Sequence, residues 1–207
     1  MLQITDFENM NSDNILIRIV GDHDIGQIEK EISLIKQMTS VDFGLRAFKV
    51  DDWNTSLSPW KSPAVFGKDD FGDGAEETLE ELRNLLDDSA KKYYLCGYSM
   101  AGLFALWAAC RMEGIYGVAA VSPSVWFPGF TDYMHINKVL TPKVYLSLGD
   151  KEEKTRNLVM ATVGERIREA KELISATGAE CILEFNPGGH FNEPDVRMAK
   201  GIAWLIK

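Results

Sequence analysis

The stretch 93-YYLCGYSMAGLFALWAACR-111 carries the most information in the chain. Tyr93–Cys96 is a short apolar run of strand length, and Met100–Arg111 is a helix that is apolar almost all round, so both elements belong in the interior. A serine squeezed between such a strand and such a helix sits on a tight turn, with its hydroxyl exposed at the C-terminal edge of the sheet. The two backbones approach closely there, which calls for small residues two before and two after the serine. Gly97 and Ala101 meet that demand. The N–H of Met100 opens the helix and is well placed for an oxyanion. Ser99 is therefore the candidate nucleophile.

Outward from this stretch, strands and helices alternate. Ile15–Val20 reads as a buried strand ending at Gly21, and Ile25–Met38 as a helix with Ile25, Ile28, Ile32, Ile35 and Met38 on one face. Phe43–Val50 reads as a strand, and Ala75–Leu86 as a helix with acids in its first turn. Gly117–Val121, Val144–Leu148 and Cys181–Phe185 read as core strands. Ala161–Thr177, closed by Gly178, and Asp195–Ile206 read as helices. Repeated strand–helix units imply an α/β fold, a mainly parallel sheet with helices on both faces. One segment, Asp51–Gly74, lacks periodicity. Its four aromatic residues, Trp53, Trp60, Phe66 and Phe71, read as a pocket wall rather than as disorder.

A serine nucleophile needs a base. Of the three histidines, His190 lies in NPGGHFNEPD just after the last strand, where Pro187, Gly188 and Gly189 turn the chain at the same sheet edge. His23 follows the first strand in GDHD, and His135, in TDYMHIN, reads as solvated surface. An acid is then needed to hold the imidazole tautomer and stabilise its cation. The strand VYLSL ends in Gly149-Asp150-Lys151-Glu152-Glu153, so three carboxylates compete for that place.

Composition narrows the function classes. The 207 residues fit one domain, residues 1–207. Lys and Arg total 22 against 31 acids, a net charge of −9, which disfavours nucleic acid and anionic membrane as partners. Cys96, Cys110 and Cys181 have no C-x-x-C spacing and read as small apolar residues, not as a disulfide framework or zinc site. The acidic N-terminus does not read as a secretory signal, and the longest apolar run, Met100–Cys110, is too short to span a bilayer. A cytoplasmic location is the expectation.

Four stretches carry a resemblance: GYSMAG at 97–102, SPSVW at 122–126, GDKE at 149–152 and GGHFNEPDVR at 188–197. Together they resemble the α/β-hydrolase superfamily, and within it the esterase family that includes enterochelin esterases, feruloyl esterases and esterase D. The order Ser99, acid, His190 is the order of that fold. The resemblance implies Glu152 as the acid, with Asp150 and Glu153 as alternates. It also implies a second oxyanion donor after the first of these strands, a backbone N–H of Asp22 or His23. Trp53, Trp60 and Trp126 are the candidate substrate-pocket residues. The expectation is a minimal α/β-hydrolase without a large cap. It would cleave a small-molecule carboxylic ester through Ser99, His190 and Glu152, with no metal or organic cofactor. An acyltransferase or thioesterase with the same triad, or a catalytically silent binding module of the same fold, are the alternatives.

Overall fold

Among the described residues, six of seven strands run parallel in a single sheet, which brings their C-terminal ends to one edge. The computed structural model describes residues 3–86 and 88–207, with His23 described by its backbone alone. The strands are β1 (Gln3–Glu8), β2 (Asn14–Val20), β3 (Gly44–Lys49), β4 (Lys92–Tyr98), β5 (Ile115–Val121), β6 (Lys143–Gly149) and β7 (Glu180–Asn186). Their order across the sheet is β1-β3-β2-β4-β5-β6-β7, with β1 antiparallel to β3. The inner strands are buried on both faces, which is why β2 and β5 read as near-continuous apolar runs.

The helices are α1 (Asp22–Ile25), α2 (Ile28–Met38), α3 (Trp53–Ser56), α4 (Ala75–Arg83), α5 (Met100–Ala109), α6 (Phe130–Ile136), α7 (Val163–Ala176) and α8 (Pro194–Leu205). Residues of α4, α5, α6 and α7 share one apolar core with Ile15, Ile17, Leu95, Val118 and Leu146. Residues of α2 and α8 share the other with Leu16, Leu45, Tyr94, Ala119 and Tyr145. The alternation of Leu16 and Ile17 between these two cores shows the period-two geometry of a strand. All ten residues of α5 are buried, as its uniformly apolar sequence implies.

Four features differ from the sequence reading. β1 was not expected. It is a half-exposed edge strand whose polar and apolar residues follow no strong pattern. The helix expected from Ile25 to Met38 is interrupted at Gly26 and Gln27, so α1 and α2 are separate. The stretch after β5 holds α6, which Gly129 introduces at φ 80. The segment 51–74 is not without structure. It holds the single turn α3 and a bridge in which Ser62 and Phe71 exchange backbone hydrogen bonds. Its Phe66 and Phe71 rings pack on Trp126, and Phe71 also packs on Phe127. The chain is thus a minimal α/β-hydrolase fold, with loops rather than a cap domain over the sheet edge.

Candidate active site

Ser99 follows β4 directly and caps α5, at φ 58 and ψ −121. A non-glycine residue pays roughly 1–3 kcal/mol for such a backbone, so the surroundings must over-determine it. They do. Ser99 N–H donates to Val121 O at 3.1 Å, and Ser99 O accepts from the N–H groups of Leu103 and Ser124 at 3.0 and 3.1 Å. A Cβ on Gly97 would stand 2.1 Å from Ala101 O, which is the physical reason for glycine there.

Ser99 Oγ lies 3.1 Å from His190 Nε2. On the other side of the ring, His190 Nδ1 lies 2.7 Å from Glu152 Oε2. The His190 loop is held from several sides. Tyr98 Oη donates to the His190 carbonyl, and Asn192 Oδ1 accepts from Gly189 N–H at 2.7 Å. Gly188 sits at φ 100, where a Cβ would strike Asn192.

The three competing carboxylates are sorted by their partners. Asp150 Oδ1 accepts from Gly188 N–H at 2.8 Å, so it braces the turn before His190. Glu153 pairs with Arg168 of α7 at 3.3 Å. Glu152 alone of the three meets the imidazole. Its Oε1 accepts from Ser122 Oγ at 2.7 Å, Gly149 N–H at 2.7 Å and Arg197 Nη1 at 3.1 Å. Burial pushes this carboxyl up. The hydrogen bond and charge of His190, with the hydrogen bonds from Ser122 and Gly149, more than offset that and hold it below the ordinary carboxylate range.

Three contributors escaped the sequence reading although they lie in the quoted stretches. Ser122, at φ 44, donates to Glu152, while Ser124 Oγ lies 3.3 Å from Ser99 Oγ. SPSVW thus ties the serine and the acid together at the end of β5. Arg197 lies on α8 with a side chain 2% exposed. Its position in an amphipathic helix gave no sign that a cation would be turned inward.

The N–H of Met100 belongs to the first turn of α5, where helix donors have no partner within the helix. Asp22 and His23 lie in the first turn of α1, directly after β2 at the same sheet edge. The Asp22 carboxylate pairs with Lys49 at 2.6 Å. The side chain of His23 lies outside the described residues. His135 pairs with Glu169 at 2.8 Å on α7.

The tryptophans do not converge on one cavity. Trp126 is buried under Phe66 and Phe71 and lines a cavity of about 350 Å³ with Phe127, Leu158, Val159 and Arg166. Trp60 packs on Phe127 and Tyr133 and donates its indole N–H to Pro128 O at 2.9 Å. Trp53 lines a separate acidic depression with Asp51, Asp52, Asp69 and Asp70. Phe191, 89% exposed, sets its ring edge-to-face against His190. Among the described residues, no group of three or more His, Cys, Asp or Glu could hold a metal ion, and no helix is long and apolar enough to cross a membrane.

No protein-family model matches the sequence, and a search of curated proteins gives no match. The fold is shared with solved hydrolases. The siderophore hydrolase EstA from Aspergillus nidulans superposes with a TM-score of 0.70 at 19% identity, over 99% of this chain and 89% of that one. An IroE-like serine hydrolase from Shewanella oneidensis gives 0.76 at 12% identity, over 100% and 80%. The enterobactin esterase FES from Shigella flexneri gives 0.66 at 13% identity, over 98% of this chain and 54% of that one.

Proposed function

We propose that this α/β-hydrolase-fold chain, taken as one domain over residues 1–207, is a serine hydrolase of small-molecule carboxylic esters. The carrying observation is the continuous relay from Ser99 Oγ through both ring nitrogens of His190 to Glu152, at 3.1 and 2.7 Å. The likeness to structures described as siderophore hydrolase, enterobactin esterase and serine hydrolase supports the same reaction class.

In the first half-reaction His190 Nε2 takes the Ser99 proton as Oγ attacks the acyl carbon. The tetrahedral oxyanion forms against the N–H of Met100, with a second N–H from Asp22 or His23. His190 then returns the proton to the departing alkoxide, leaving Ser99 acylated. Water, deprotonated by the same nitrogen, attacks the acyl carbon; the tetrahedral intermediate breaks its bond to Ser99 Oγ, which takes the proton back from His190 Nε2 as the acid is released. Glu152 accepts from His190 Nδ1–H, fixing the tautomer and stabilising the imidazolium. Of the three tryptophans, Trp126 is the one offered to the acyl or leaving group, since it fronts a cavity with Phe127, whereas Trp53 lines a separate depression and Trp60 packs on Phe127 and Tyr133. The protein acts on a diffusible substrate in the cytoplasm.

The test is turnover of p-nitrophenyl acetate by the wild-type chain and by Ser99→Ala. The reading requires wild-type hydrolysis and a loss of roughly 10³-fold or more in the variant. Wild-type protein with no turnover, or equal turnover by both, contradicts it.

A further inference from the structure

We propose that Arg197 is a positioning residue that fixes Glu152 and the His190 turn as one unit. This rests on the serine-hydrolase reading above. Its guanidinium is buried and distributes two nitrogens over four acceptors. Nη1 donates to Glu152 Oε1 at 3.1 Å and to Ser122 Oγ at 3.3 Å. Nη2 donates to Pro187 O at 3.1 Å and Gly189 O at 3.0 Å. Those two carbonyls flank Gly188 in the turn that delivers His190. One planar fork therefore spans the acid and the backbone that presents the base, which a flexible point-charge cation cannot do.

The consequence for Glu152 is geometric. With Ser122, Gly149 and Arg197 all donating to Oε1, the carboxylate is pinned and Oε2 is left to face His190 Nδ1. Outer contacts of this kind orient the groups that do chemistry, and around metal ligands their loss costs about 10–100-fold, which sets the scale expected here. The consequence for His190 is positional. Nη2 holds the two carbonyls that flank Gly188, so the turn keeps the ring against Oε2. The same turn is braced by Tyr98 of β4, which donates to the His190 carbonyl, and by Asp150, which accepts from Gly188.

The experiment compares the wild-type 207-residue chain, Arg197→Met and Arg197→Lys on p-nitrophenyl acetate at one fixed pH. Active sites are counted by the p-nitrophenol burst, so that misfolded protein does not enter kcat. For Arg197→Met, kcat per titrated site falls about 10–100-fold with KM within about threefold. For Arg197→Lys the charge stays, yet kcat per site also falls because the fork is lost. Arg197→Met with wild-type kcat per site overturns the proposal and leaves a purely structural arginine. Should Arg197→Met not fold, Arg197→Lys decides by itself: wild-type kcat per site in that variant overturns it. Absence of wild-type turnover overturns the hydrolase reading, and this proposal with it. Wild-type turnover with unaffected variants overturns the positioning role alone.

Discussion

Glu152 Oε2 stands 2.7 Å from His190 Nδ1, although 38 positions of chain separate the two residues. β6 and β7 pair in parallel with Gly149 opposite Asn186, so the loops that follow them leave the sheet side by side. The acid and the base meet because two strand ends meet.

That pairing makes the three carboxylates of the loop unequal. Glu152→Gln keeps the shape but gives Nδ1 a neutral partner and sets an amide against the donors on Oε1. We expect kcat for p-nitrophenyl esters to fall by about 10²–10⁴-fold, against less than about threefold for Glu153→Gln, whose partner is the half-exposed Arg168. Asp150→Asn keeps an acceptor for Gly188 N–H and should also retain most activity. A steady-state comparison of the three variants checks the ranking.

Acid should weaken the fold through the same carboxylate. Glu152 binds its proton less readily when folded than its ordinary value of 4.5, so below about that pH the unfolded chain takes up more protons. The stability it contributes is present above that value and is lost as pH falls through the lower folded value. Urea midpoints measured from pH 7 to 3 should show the difference between wild type and Glu152→Gln shrinking below about pH 4.5.

The elbow glycine is the least replaceable small residue near Ser99. A Cβ on Gly97 meets backbone atoms at 2.1 and 2.3 Å, which no rotamer relieves. Gly97→Ala should cost at least about 3 kcal/mol or fail to fold. Gly26 has open space and φ −71, so Gly26→Ala should be neutral or stabilising by about 0.5 kcal/mol. Urea denaturation of both variants separates the two cases.

Trp126 is fixed by Phe66 and Phe71 as much as it fronts a cavity. Trp126→Ala should therefore lower stability by about 3–4 kcal/mol as well as change KM. A change in KM with unchanged stability would make it a pocket residue alone.

The parts of the molecule that were legible in the sequence are those where one local pattern has one physical cause. The strand, Gly97-x-Ser99-x-Ala101 and helix succession specifies a turn that only small flanking residues allow. His190 was legible because Pro187, Gly188 and Gly189 stop β7 at the right edge. The carboxylate facing His190 was one of three by the residues alone and Glu152 by the resemblance, because adjacent loop residues point in different directions and only the fold sorts them. β1 was hidden by its half-solvated pattern at the sheet edge. Ser122, Ser124 and Arg197 were hidden because a short polar side chain, or a cation on an amphipathic helix, reads as surface. Their burial comes from the packing of β5 and α8 against the loop ends, a long-range property that no local window contains.

Covalent trapping asks whether Ser99 is a nucleophile activated by His190. The wild-type chain is incubated with a fluorophosphonate and the adduct is located by peptide mass spectrometry, beside Ser99→Ala. One adduct is expected, on the peptide carrying Ser99, and none in the variant. Equal labelling of both proteins, or an adduct on a different serine, would contradict it.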